Sequence, residues 1–126
     1  MKTFRDLKVW QKSHDMVIEI YRITGSFPDE ERYGLVSQIR RSASSVPTNI
    51  VEGFKRRSRK EFAHFLNIAE SSLEETKYWL ILSKDLSYIK DEEVGEVEAL
   101  CDEIGKMLFG LQASLSKKGS NLILNP

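Results

Sequence analysis

Apolar residues recur three and four positions apart through four stretches of this chain, separated by short polar breaks. In the first stretch Val9, Trp10, Met16, Val17, Ile20, Tyr21 and Ile23 gather on one broad side if Leu7 to about Thr24 is helical. Asp6 stands where it can cap that helix, Gly25 where it can stop it, and Pro28 where another can begin. The second helix is predicted from about Asp29 to Arg56, with Leu35, Ile39, Val46 and Ile50 facing inward. Pro47 interrupts it. An internal proline removes one backbone bond and crowds the carbonyl four residues earlier, here Ala43, so a kink or break is expected near Ser44 to Pro47. Gly53 is expected to loosen the end of this helix.

Ser58 and Glu61 have the spacing of a capping box, which opens a third helix with no breaker before Ser87. Its inward set is Phe62, Phe65, Leu66, Ala69, Leu73 and Leu80, with a second set of Ile68, Trp79 and Leu82. Asp91 is expected to cap the fourth helix. There Val94, Val97, Cys101, Ile104, Leu108, Leu111 and Leu115 alternate three and four apart, the seam of a bundle helix. The pattern ends after Lys117, so residues 1–118 are expected to form the bundle and residues 119–126 a mobile tail.

Four amphipathic helices joined by short connections, with no strand signal, predict an all-α, up-down-up-down four-helix bundle with helix 2 kinked near Pro47. More apolar side chains are present than the seam can hold. Ile18, Ile23, Tyr78, Trp79, Ile81, Met107 and Phe109 cannot all point inward, because neighbouring helix positions lie about 100° apart. The surplus predicts an oligomer interface drawn from Ile18, Ile23, Tyr78, Trp79, Ile81 and Phe109, most simply with another copy of the chain.

Charge changes this picture more than composition does. The 126 residues carry no formal net charge, yet the window from Arg40 to Lys60 carries +6 and the remainder −6. The compensating acids gather in the fourth helix as Glu92, Glu93, Glu96, Glu98, Asp102 and Glu103. Phosphate backbones need cations spread along a surface, and arginine meets a phosphate with two parallel hydrogen bonds. Arg40, Arg41, Lys55, Arg56, Arg57, Arg59 and Lys60 are therefore the candidate nucleic-acid-binding residues, with Phe54 beside them able to stack on a base or to staple the turn. The acidic fourth helix could equally dock the basic face of a second subunit. Arg41 and Glu52 could instead pair with each other.

Other chemistry finds little support. Cys101 is the only cysteine, which excludes an intrachain disulfide and a cysteine metal cluster, and it reads as a small buried apolar residue. Glu61 and His64 have the Glu-x-x-His spacing used by di-iron bundles, but the second copy such a site needs is missing. No phosphate loop, serine elbow or cysteine dyad occurs, so no catalytic residue and no cofactor is expected. No apolar run reaches the roughly 18 residues of a membrane span, and the opening MKTFRDLKVWQK lacks a signal-peptide core. A cytoplasmic protein is expected.

Phe4-x-x-Leu7-x-Val9-Trp10-Gln11, Ile20-Tyr21-x-x-Thr24-x-x-Phe27-Pro28, Tyr33-Gly34-Leu35-x-x-Gln38-Ile39-Arg40-Arg41, Val46-Pro47-x-Asn49-Ile50-x-Glu52-Gly53 and Ser58-x-x-Glu61-Phe62-x-x-Phe65-Leu66-x-Ile68-Ala69 follow one another in order. Together they resemble the bacterial four-helix-bundle family encoded within intervening sequences of 23S rRNA genes, from about Phe4 to Leu115. Ser42 and Val51 depart from it where alanine is usual. The resemblance implies a compact bundle that assembles into a homopentameric ring. It also implies kinship with the accessory protein of diversity-generating retroelements, a basic pentameric barrel that binds nucleic acid and a reverse transcriptase. Family anchors fall on Arg40, Arg41, Asn49, Glu52 and Gly53. The expected function is a non-catalytic, oligomeric scaffold that binds RNA or DNA backbone. The alternative is an adaptor whose homo-oligomeric ring docks a partner enzyme without binding nucleic acid.

Overall fold

The computed structural model describes residues 2–116, and the expected tail of residues 119–126 lies outside them. Four α-helices follow one another: α1 (Lys8–Thr24), α2 (Leu35–Phe54), α3 (Arg59–Asp85) and α4 (Asp91–Ser116). Among the described residues each helix packs on its neighbours in sequence and α1 closes the ring against α4, while the diagonal pairs bring no Cα atoms within 8 Å of each other. This is the expected up-down-up-down four-helix bundle.

Periodicity placed the core well. All seven seam residues of α4 are buried, as are Leu35, Ile39, Val46 and Ile50 on α2 and Phe62, Leu66, Ala69, Leu73 and Leu80 on α3. Ile23 is a correction: it is only 3% exposed, so it belongs to the core and not to an outward surface. Met16, Ile20 and Ile23 are spaced by four and three, which sets Ile23 on the inward line of α1. Tyr21 goes the other way and is exposed.

The helix ends differ from the expected ones for local reasons. Asp6 caps an earlier 3-10 turn, Phe4–Asp6, rather than α1: its carboxylate accepts from the backbone N–H groups of Lys2 and Thr3, while Thr3 Oγ1 accepts from Arg5 N. Those backbone bonds, Lys2 first, hold the Asp6 pKa below its usual value. After Pro28 the chain makes only a 3-10 turn, Asp29–Glu31, and α2 begins at Leu35. Glu31 explains the late start. Its Oε1 accepts from Leu35 N at 3.3 Å and its Oε2 from the Tyr88 hydroxyl at 2.9 Å, so one carboxylate both satisfies the first N–H of α2 and ties it to the α3–α4 connection. Asp91 is the first residue of α4 rather than its cap.

Helix α2 runs unbroken through Pro47. The hydroxyls around the proline bond backward, Ser44 Oγ to the Arg40 carbonyl at 2.8 Å and Thr48 Oγ1 to the Ser44 carbonyl at 2.7 Å. Hydroxyls also join α2 to α3: the buried Ser42 and Thr76 lie 2.9 Å apart, and the half-buried Ser45 and Ser72 2.8 Å apart. Ser58 caps α3 by accepting from Glu61 N, and its own hydroxyl donates to the Glu61 carboxylate. At the far end Tyr88 N donates to Ser83 O and Ser87 N to Lys84 O, the Schellman pattern, with Ser87 at φ 63° where glycine is usual.

Cys101 is fully buried, with its sulfur 3.6 Å from Met16 Sδ. Burial pushes the thiol from its ordinary 9.0 up to about 12. The unfolded chain therefore ionises first as pH rises, and the native state loses stability between these two values. The expected difference from a Cys101→Ala variant is a steeper alkaline decline in wild-type stability, approaching ~1.4 kcal/mol per pH unit above pH 9. Denaturant titrations of both proteins at pH 8 to 10.5 measure it, and parallel declines would refute it.

Candidate nucleic-acid interface

The basic window does not fold into one patch. From Arg40 to Lys55 the chain climbs most of α2, roughly 20 Å at about 1.5 Å per residue, so the two arginines and the later cluster sit toward opposite ends of the bundle. Arg40 and Arg41, about 100° apart on the helix, then diverge sideways.

Arg40 turns toward α1. Its guanidinium donates to Thr24 Oγ1 at 2.9 Å and to the Tyr21 carbonyl at 3.3 Å, and its centre lies 4.3 Å from the Tyr21 ring centroid. Arg41 turns toward α3, where it pairs with Glu75 and donates to Gln38 Oε1 at 3.0 Å. Trp79 Nε1 donates to the same Glu75 carboxylate at 3.0 Å. Glu52 pairs with Arg56 at 3.3 Å, not with Arg41. Arg56 also lies 4.6 Å from the Phe65 ring centroid. These three arginines are thus held by the fold, each with an acceptor and two of them on an aromatic face.

The turn from α2 into α3 is different. Lys55, Arg57 and Lys60 are exposed, and no carboxylate of the described residues pairs with them. Arg59 is half-buried as the first residue of α3. Sequence reasoning missed the neighbour of this turn. The N-terminal 3-10 turn packs beside the end of α2, so that Lys2, Thr3 and Phe4 join Val51, Phe54 and Lys55 around a cavity of about 270 Å³. Thr3-x-x-Asp6 was the signal, a capping spacing that marks an ordered turn ahead of α1.

Acids collect at the opposite end, where Glu31 reaches Tyr88 and Arg22 reaches Glu93 at 3.6 Å. Asp29, Glu30 and Glu31 form one turn there, and Asp91, Glu92 and Glu93 open α4. The basic α2–α3 turn and these acids therefore lie at opposite ends of the bundle, while Arg40 and Arg41 sit toward the acidic end and Asp102 and Glu103 pair with Lys77 and Lys12 along its side. On the α3–α4 side, burial works against the charge of Lys77, but hydrogen bonds to Asp102 and Glu74 outweigh it and raise its pKa.

Of the expected interface residues, Ile18 (54%), Tyr78 (54%), Ile81 (49%) and Phe109 (70%) are exposed. Trp79 is half-buried against the core, and Ile23 is inside it. The structure does not gather the exposed four on one face, since Ile18 is on α1, Tyr78 and Ile81 on α3, and Phe109 on α4. Glu61 is engaged by Ser58, and the His64 ring stands edge-on to Phe65 with centroids 5.5 Å apart. Among the described residues no three His, Cys, Asp or Glu side chains are grouped to hold a metal, and no helix is long and apolar enough to cross a membrane.

No curated protein matches the chain. A solved structure does: a protein of unknown function from the S23 ribosomal protein family of Bacteroides thetaiotaomicron is 31% identical, with a TM-score of 0.75 over 82% of this chain and 97% of that one. The family described as 23S rRNA-intervening sequence protein matches residues 5–110. With most of its length matched and its bundle shared, this chain belongs to the 23S rRNA-intervening sequence protein family.

Proposed function

We propose that the chain is a non-catalytic, oligomeric scaffold of the cytoplasm that grips RNA or DNA through phosphate contacts at the α2–α3 turn. The observation that carries this reading is the set of exposed, carboxylate-free cations Lys55, Arg57 and Lys60. Cations already satisfied by the fold gain less from a phosphate than cations paired only with water. Arg40, Arg41 and Arg56 are accordingly assigned to packing, and the binding surface is the turn, with Lys2 beside it. The acidic far end repels a polyanion, so the molecule meets nucleic acid end-on.

Binding to a labelled RNA hairpin and a DNA duplex across a salt series tests this, with subunit number followed by light scattering. About three neutralised phosphates give a slope of roughly −3 for log affinity against log salt on the duplex. Lys55→Glu, Arg57→Glu and Lys60→Glu together are expected to lower affinity at least tenfold while leaving the subunit number unchanged, and Arg41→Ala to leave affinity nearly unchanged. Wild-type protein that ignores both nucleic acids, or a triple variant that binds as before, refutes the reading.

Exposed Ile18, Tyr78, Ile81 and Phe109 favour a second reading. In it the copies form a ring, pentameric as the family resemblance implies, that docks a partner enzyme, and the basic end serves assembly. Charge reversal at the turn would then dissociate the ring, which the light-scattering arm detects.

A further inference from the structure

Building on that reading, we infer that the cavity beside Lys55 takes an unpaired base, so that the protein prefers single-stranded nucleic acid over duplex. The cavity is lined by Lys2, Thr3, Phe4, Val51, Phe54 and Lys55, an apolar floor with a lysine from each wall. Both aromatic walls are packed against neighbours of the bundle. Phe4 is held by Trp10, at 5.0 Å between centroids and 67° between planes, and its turn is locked by the Thr3 and Asp6 caps. Phe54 is held perpendicular to Phe62 at 6.4 Å. Phe4 and Phe54 remain half-buried, which leaves aromatic surface open to a flat partner.

Charge selects among flat partners. Lys2 and Lys55 are exposed beside the apolar floor, and Arg57 and Lys60 continue the positive surface along the adjoining turn. The Asp6 carboxylate nearby is engaged by the backbone N–H groups of Lys2 and Thr3 and forms no ion pair with the ammonium group of Lys2 or Lys55. A planar group flanked by anions fits this arrangement, which is a nucleobase between its two phosphates. A paired base buries its faces against its neighbours in the stack, so a duplex can use the cations but not the cavity.

The test compares three labelled probes on the full chain by fluorescence anisotropy: a single strand, the same strand carrying abasic residues, and a duplex. Abasic substitution keeps the phosphates and removes the stacking face. Wild-type protein is expected to bind the intact strand about tenfold tighter than the abasic one, given ~1–3 kcal/mol for a stacked base. Phe4→Leu and Phe54→Leu, each checked for native helicity, should abolish that difference and leave duplex affinity unchanged. Equal wild-type affinity for intact and abasic strands, with salt dependence retained, overturns the cavity and leaves the phosphate reading standing. Loss of salt-dependent binding to all three probes overturns both.

Discussion

Phe62→Ala is expected to destabilise the protein by about 3–5 kcal/mol, the range for truncating a buried phenylalanine. Phe62 is 4% exposed in the first turn of α3, perpendicular to Phe54 and directly against Gly53 at the end of α2. Its ring closes the hairpin whose tip carries Lys55, Arg57 and Lys60. Losing it leaves a cavity that the backbone of Gly53 cannot collapse into, because α2 and α3 are already joined farther along by Ser45 with Ser72 and Ser42 with Thr76. Urea denaturation of wild type and variant measures the cost. A loss below about 1 kcal/mol would show that the hairpin end is loosely packed. With domains of this size typically stable by only ~5–15 kcal/mol, the predicted loss is also a large share of the whole.

The bundle was legible because its information is periodic. In α4 each inward residue follows the last by three or four positions from Val94 to Leu115, and the structure buries every one. The same periodicity does not state which way a residue near a helix end faces when apolar neighbours crowd it. Ile23 illustrates this, because Ile18, Ile20, Tyr21 and Ile23 all lie within two turns of α1, and the inward line through Met16 and Ile20 is picked out only when the burial of those two is known.

The site was legible only in part, for a different reason. A charge run is visible in sequence, but whether a cation is free depends on partners far along the chain. Arg41 meets Glu75 and Arg40 meets Thr24, at separations of 34 and 16 residues, and nothing local announces either contact. Lys55, Arg57 and Lys60 stand out only once the partners of the other arginines are assigned. Lys2 and Phe4 were missed because Asp6 was read as the cap of α1, which left no ordered turn before the helix to place them. The start of α2 failed similarly: Pro28 does begin a turn, but Glu31 restarts the helix by capping Leu35 through its side chain.

Gly53 is where two local arguments oppose each other, and the outcome decides which one governs the hairpin. Helix propensity alone predicts that Gly53→Ala stabilises α2 by up to about 1 kcal/mol. Packing predicts the reverse. A Cβ at this position would stand 2.8 Å from Phe62 Cδ1 and 3.0 Å from Phe65 Cβ. The ring of Phe62 is buried and the Cβ of Phe65 is fixed to the α3 backbone, so neither can swing aside and the helices must separate locally. Overpacking of this kind typically costs about 1–3 kcal/mol, which outweighs the propensity gain. Gly53 is therefore a close-approach residue rather than the loosened helix end its sequence suggests. The expected result is a net loss of about 1–2 kcal/mol for Gly53→Ala in urea denaturation. A double-mutant cycle sharpens the test, because combining Gly53→Ala with Phe62→Leu relieves the first clash and leaves the Phe65 contact. The double variant should lose less than the sum of the single losses, with a coupling of at least ~0.5 kcal/mol. A stabilised Gly53→Ala protein would mean that α2 and α3 are farther apart at this end than their contacts indicate. The turn carrying Lys55, Arg57 and Lys60 would then be set by its own backbone rather than by the helix pair beneath it.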